Sequence, residues 1–365
     1  MRDSSLKILI VTSEFPPQPG GIGNHAYNLA LHLSQQGHRV KVIADQRSRS
    51  GTDEAHFDAA LTFSVKRIKL HNFRFIMYLK RIVHTVKSTK RTTHCIVTGK
   101  FSLWNVAFSS FLFNRKTIAV VHGTEVNFKS ILIRNSIDFS LKRFDKIVAV
   151  SKYTKSLISE LNKEVVVIPN GITVSQWKAP NEKMKLKGDP VITTVGRVSI
   201  RKGQLNVINQ LPELIKTYPD LHYHCVGIPT EADAFIKVAE SLHINNHVTF
   251  HGSVDEETLK QVLDATDIFV MLSTESSTGD VEGFGIAILE ANAMGIPAIG
   301  AKGCGIEDAI VCGKSGILID TNNSNEFVEG ISKILGNLSQ FRSEAKAWAN
   351  THDWSHIIKH YEALL

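Results

Sequence analysis

A chain of 365 residues exceeds the usual size of one hydrophobic core, so two domains are expected. Hydrophobic residues at 43% and charged residues at 21% describe an ordinary globular protein, and no run approaches the roughly eighteen apolar residues of a membrane span. The four cysteines, Cys95, Cys225, Cys304 and Cys312, are scattered without a C-x-x-C pair; this argues against a disulfide scaffold or zinc site and suits a reducing cytoplasm.

In chain order, Leu6–Thr12 reads as a first strand, too short for a signal peptide before polar Ser13 and Glu14. The helical run Ile22–Gln36 follows, then strands at Arg39–Ala44, Cys95–Thr98, Thr117–His122, Lys146–Val150 and Val165–Ile168, with a helix over Phe128–Lys142. The turn Pro169-Asn170-Gly171 and the polar, irregular stretch Val174–Gly188 mark a domain boundary. The alternation then restarts with strands at Val191–Val195, Tyr223–Val226, Val248–Phe250, Ile268–Leu272 and Ala298–Gly300. Asp353–Leu365 has helical apolar spacing at Trp354, Ile357, Ile358, Tyr361 and Leu364. Such alternation predicts α/β architecture with two doubly wound parallel sheets, whose strand carboxyl ends should face a ligand cleft.

Net charge is +7, unevenly spread. No aspartate or glutamate occurs from Ala59 to Thr124, while lysines and arginines run with Phe73, Phe75, Tyr78 and Leu79 between them. A basic, aromatic stretch suits an anionic membrane surface, nucleic acid or a solvated face. No nucleic-acid motif accompanies it, so nucleic acid is not expected, and a membrane surface bound through residues 65–91 is.

Chemistry gathers in a few loops. Glu282-Gly283-Phe284-Gly285 with Glu290 places two carboxylates eight positions apart, one in a loop and one in the helix that follows. The helix start offers free N–H groups to an anion, and the glycines allow close backbone approach. Gly196-Arg197 and Lys202-Gly203 follow a strand, where the two cations can neutralise a diphosphate. His122 ends a strand of the first half. Gly20-Gly21-Ile22-Gly23 with Ala26 and Asp45 fits a permissive dinucleotide fingerprint, which keeps an NAD-dependent oxidoreductase open. Against it, Glu14 to Pro19 separate the first glycine from the strand. There is no metal-ligand spacing, D-x-D element or G-x-S-x-G elbow, so neither a metal nor a cofactor is expected.

Taken together, the loop at Gly20–Gly21, His122-Gly123, Pro169-Asn170-Gly171-Ile172, Gly196-Arg197 with Lys202-Gly203, Glu282-Gly283-Phe284-Gly285 with Glu290, and Trp354 resemble glycosyltransferase family 4. The resemblance covers nearly the whole chain. It implies the GT-B fold, with residues 1–173 as an acceptor-binding Rossmann-like domain joined by a crossing-back helix over 350–365, and 174–349 as the nucleotide-sugar domain. It implies a retaining hexosyltransferase that needs no metal. Arg197 and Lys202 would hold the donor diphosphate, and Glu290 the ribose. Glu282 with the backbone of Gly283, Phe284 and Gly285 would hold the transferred sugar, and His122 would face its 6-hydroxyl. Gly20 and Gly21 would approach the phosphates, and Gly252 and Val254 the base. With Asp280 and Val281, the motif is most similar to GDP-mannose-dependent phosphatidylinositol-mannoside and capsule mannosyltransferases. The implied partners are a nucleotide sugar and a lipid-linked or polysaccharide acceptor at the inner face of the cytoplasmic membrane. UDP-linked glucose, GlcNAc or galactose and a sugar-nucleotide epimerase remain the alternatives.

Overall fold

The computed structural model describes residues 5–365, which divide into two compact units. The first runs to Asn170 and takes in Trp354–Leu365; the second is Gly171–Asp353. The division falls a few residues from the expected 173/174 and 349/350. Ile172 donates its N–H to the His352 carbonyl at 2.9 Å, and Val174 to an Asp353 carboxylate oxygen at 3.0 Å. These bonds group residues 171–173 and 350–353 with the second unit.

Unit 1 is built on seven parallel strands: β1 Lys7–Thr12, β2 Arg39–Asp45, β3 Ser64–Ile68, β4 His94–Thr98, β5 Lys116–Val121, β6 Lys146–Ala149 and β7 Val165–Val167. Their order is β3-β2-β1-β4-β5-β6-β7, with Ile8 paired to Val40 on one side and His94 on the other. Ile8 to Val11 are wholly buried, as expected of a parallel strand covered on both faces. The helix Trp354–Glu362 buries Trp354, Ile357, Ile358 and Tyr361, packing against the helix Gly21–Gln35.

Unit 2 has six parallel strands: β8 Val191–Val195, β9 His222–Val226, β10 Val248–Gly252, β11 Ile268–Met271, β12 Ala298–Ala301 and β13 Gly316–Ile319. Their order is β10-β9-β8-β11-β12-β13. Sheet order therefore reverses between β1 and β4 in unit 1 and between β8 and β11 in unit 2. Loops leaving the carboxyl ends at these switch points diverge and leave room for a ligand.

Two strands were not anticipated. β3 reads Ser-Val-Lys-Arg-Ile, an edge strand whose cations mask its period-two pattern. β13 is four residues opened by Gly316, whose Cβ would meet the Ala298 carbonyl at 2.1 Å. The helix expected from Phe128 begins at Ile131. Within the basic stretch, Arg74–Thr89 is a helix. Two of its cations face inward: Arg81 pairs with Asp45, and Arg67 of β3 donates to both Asp58 carboxylate oxygens at 2.8 and 2.9 Å. Among the described residues, no helix is long and apolar enough to cross a membrane.

Candidate active site

In unit 2 the chemistry lies on the loops after β8 and β11, the two strands at the switch point. The β8 loop runs from Gly196 through a single turn, Ile200–Lys202, to Gly203, which opens the helix Gln204–Thr217. Gly203 has φ +82°, and a Cβ there would lie 2.0 Å from the Leu272 carbonyl oxygen at the end of β11. Only glycine lets the two loops approach this closely. Buried Gln204 braces the loop, donating to the Arg197 carbonyl at 3.2 Å and accepting from the Ser199 N–H at 3.2 Å.

Lys202 and Glu282 come together as the sequence suggests. Lys202 Nζ lies 2.7 Å from Glu282 Oε2, and Arg201 donates to the same oxygen at 2.6 Å. Arg201 Nε also reaches Asp280 at 3.3 Å. Burial pushes the Glu282 carboxyl up, but Lys202 and Arg201 overcome it and hold the group at about 2. Arg197, expected at the diphosphate, is exposed, and among the described residues it pairs with no carboxylate. The arginine that touches the glutamate is Arg201, which the sequence marks only by its place beside Lys202.

Gly285 caps the helix Ile286–Ala293 in the left-handed conformation, φ +91°, with no side chain capping the N-terminus. Phe284 is buried and lies tilted against His352 at 5.9 Å, so its side chain serves the core and only its backbone is offered to a ligand. Glu290 lies in the same helix, one turn on, partly exposed. Burial pushes its carboxyl up to about 7, with Lys202 opposing and Glu256 adding to the rise. Two glutamates of one short segment are therefore shifted in opposite directions, because one has two cations on it and, among the described residues, the other has none in contact. Gly252 and Val254 sit at the end of β10, two strands from β8.

Unit 1 gathers buried histidines instead. His122 follows β5, and its Nε2 shares a hydrogen bond of 2.7 Å with Thr98 Oγ1 at the end of β4. Its backbone N–H donates to Glu125 at 2.7 Å. Edge-on to its ring, at 4.9 Å, stands His25 of the helix Gly21–Gln35. Asn170 Oδ1 can only accept, so His25 Nδ1 carries the proton and donates to it at 2.9 Å; Nε2 then accepts from the Tyr361 hydroxyl at 3.1 Å. Burial lowers His25 to about 4, against the Asn170 bond, and burial with the neighbouring His25 lowers His122 well below its ordinary value. Both rings are neutral at pH 7. The sequence conceals His25 because a single histidine on an apolar helix face carries no spacing signal; its partners are 145 and 336 residues away.

Gly20 precedes this helix, and a Cβ on it would lie 2.3 Å from a Glu14 carboxylate oxygen. Gly20 and Gly21 thus stand at the end of the loop leaving β1. Asp45, the acid a dinucleotide fingerprint would need for ribose, is bound in both oxygens by Arg81. That engagement removes the structural basis of the dinucleotide alternative.

Comparison with known proteins covers both units. A model described as Glycosyltransferase Family 4 matches residues 19–176, and one described as Glycosyl transferases group 1 matches 175–350. The chain is 26% identical over 358 residues to the GDP-mannose-dependent alpha-(1-6)-phosphatidylinositol monomannoside mannosyltransferase of Mycolicibacterium smegmatis, covering 91% of this chain and 88% of that protein. It is 24% identical over 378 residues to the glycogen synthase of Mycobacterium tuberculosis, covering 94% and 89%. The crystal structure of Anabaena HepE with UDP and glucose matches with a TM-score of 0.81 over 98% of each chain, at 20% identity. At that identity the likeness is one of fold.

Proposed function

The chain belongs to glycosyltransferase family 4, and we propose on that premise that it moves mannose from GDP-mannose to a lipid-linked or polysaccharide acceptor of the cell envelope, with retention of configuration. The observation that carries this reading is the Lys202–Glu282 contact at the β8–β11 switch point, beside Glu290, which among the described residues pairs with no cation. An anionic leaving group needs a cation there, and the sugar and ribose hydroxyls need carboxylate acceptors. Mannose is favoured over other hexoses by the relatives named for GDP-mannose.

Retention by a covalent route requires two carboxylates about 5 Å apart, one free to attack. Glu282 is unsuited to that role, since it is assigned to the sugar hydroxyls and Arg201 holds one of its carboxylate oxygens. Glu290 is assigned to the ribose. The acceptor oxygen therefore approaches on the face the diphosphate leaves, a diphosphate oxygen takes the acceptor proton, and no glycosyl-enzyme forms. Arg197, Lys202 and the N–H groups after Gly285 offset the charge on the leaving group, so no divalent metal enters the proposal. His122 offers a neutral ring whose Nε2 is fixed by Thr98, which suits a sugar hydroxyl.

The acceptor side is supported by the surface of unit 1. Phe73, Phe75, Leu79 and Val83 are exposed on or beside the basic helix Arg74–Thr89, and Ile131, Leu132 and Phe139 are exposed on Ile131–Leu141. Exposed apolar side chains among lysines and arginines suit the headgroup region of an anionic bilayer, here proposed to be the inner face of the cytoplasmic membrane.

Isothermal titration with GDP, UDP and NAD tests the reading. GDP binding in the micromolar range, unchanged by EDTA, is expected. UDP binding without GDP moves the donor to a UDP-sugar, and NAD binding with neither diphosphate overturns the proposal. Glu282→Gln should slow turnover, and intact-protein mass spectrometry after donor exposure should show no added hexose. A hexose adduct, or an inverted product by NMR, refutes the mechanism.

A further inference from the structure

Arg201 is placed where the resemblance assigned nothing. Its side chain spans from the β8 loop to two acids of the β11 loop, Glu282 at 2.6 Å and Asp280 at 3.3 Å. Its carbonyl accepts the Thr274 N–H at 3.2 Å, so backbone and side chain hold the same loop at both ends. Asp280 is itself set by a turn in which Ser276 Oγ accepts its N–H at 2.9 Å and its carbonyl accepts the Ser276 N–H at 2.9 Å. Lys202 converges on the same Glu282 oxygen at 2.7 Å, so two cations share one carboxylate atom. That sharing is more than Glu282 needs, and one of the two is available for exchange onto an incoming anion. A lysine ammonium on a flexible stem exchanges readily; an arginine fork already engaged by two acids does not.

We propose that Arg201 is a positioning residue that keeps Glu282 aimed at the hydroxyls of the transferred sugar when Lys202 turns from Glu282 to the donor diphosphate. The proposal rests on the nucleotide-sugar reading above and divides the cation cluster by task. Lys202 serves the diphosphate common to every nucleotide ligand. Arg201 serves only the part of the ligand that Glu282 touches. The exchange frees Glu282 from Lys202, and Arg201 keeps the carboxylate charged afterwards.

The division predicts a separation that a general structural role would not produce. Affinities for GDP and GDP-mannose, and for UDP and UDP-glucose, are measured by titration calorimetry on wild type, Arg201→Gln, Arg201→Lys and Lys202→Gln. Wild type should bind a sugar nucleotide more tightly than its diphosphate. Arg201→Gln should keep diphosphate affinity within a few-fold and lose most of the sugar increment, about 10- to 100-fold for one or two charge-assisted bonds. Arg201→Lys should restore part of it, and Lys202→Gln should weaken diphosphate and sugar nucleotide alike. In Arg201→Gln the remaining sugar increment should also fall as pH is lowered from 8 to 5, as Glu282 loses the neighbour that keeps it ionised. An Arg201→Gln protein with an unchanged sugar increment at all pH values overturns the proposal while leaving the nucleotide-sugar reading intact. So does one that loses diphosphate affinity as fully as Lys202→Gln, which makes Arg201 a phosphate ligand. A wild-type protein that binds none of the four ligands overturns the nucleotide-sugar reading, and the assignment of Arg201 with it.

Discussion

The two units share one architecture and treat their titratable groups in opposite ways. At the β4–β5 end of unit 1, burial keeps His25 and His122 uncharged, and their polarity is spent on Thr98, Asn170 and Tyr361. At the β8–β11 end of unit 2, two cations hold Glu282 ionised against burial, while Glu290 eight residues away rises to about 7. A doubly wound sheet therefore supplies a place for a site and leaves its electrostatics to the loops. Neutral donors and acceptors suit hydroxyl-bearing groups, and fixed charges suit a diphosphate.

The contrast breaks first at Lys202. Lys202→Ala should cost on the order of 2–5 kcal/mol in nucleoside diphosphate binding, the range for removing one partner of a buried charged contact. Arg197→Ala should weaken diphosphate binding by less, because Arg197 is exposed. Titration with GDP, with and without EDTA, measures both. Wild-type affinity in Lys202→Ala, or loss of binding caused by EDTA alone, removes the charged half of the comparison.

The neutral half is tested by pH. His25 has a folded pKa of about 4 against 6.5 in the unfolded chain, so the unfolded state takes the proton first. Its contribution is complete above pH 6.5 and is lost progressively as pH falls from 6.5 to 4, amounting to about 3 kcal/mol. Stability of wild type and His25→Gln, measured at intervals across this window, should show a shallower slope in the variant. Parallel curves mean that His25 titrates normally.

A third measurement addresses the surface of unit 1. Each lysine or arginine near an anionic bilayer contributes about 1 kcal/mol. Lys80→Glu with Lys87→Glu should release the protein from anionic liposomes in a sedimentation assay, and salt should do the same to wild type. Equal recovery on neutral and anionic vesicles leaves the basic helix as a solvated face. Arg81 is excluded from this test because it already serves Asp45.

The smallest effect belongs to Glu290. With its carboxyl near 7, it changes from mostly ionised at pH 8 to mostly protonated at pH 6. Nucleotide affinity of wild type, taken relative to Glu290→Gln, should fall about threefold over that interval, as the ribose hydroxyls lose a charged acceptor. The ratio to the variant cancels titration of the nucleotide's own phosphate. A flat ratio places the ribose elsewhere.

Local pattern carried much of this protein. Alternating β-branched runs and amphipathic helices read as two doubly wound sheets, because strand and helix periods are written in consecutive residues. The E-x7-E element was legible for the same reason: Glu282, the glycines and Glu290 lie within one turn and one helix. β3 and β13 were not legible, since five and four residues are too few for a period to rise above cations or a glycine. Contacts across the fold were hidden as well. That Arg201 holds Glu282, that Asp45 is taken by Arg81, and that His25 joins Asn170 to Tyr361 are matters of which side chains packing brings within 3 Å or so. Motif spacing along a chain reports residues that share one loop or helix. Pairings between loops, and the pKa values that burial and those pairings impose, arise when the sheets form and set distant segments side by side.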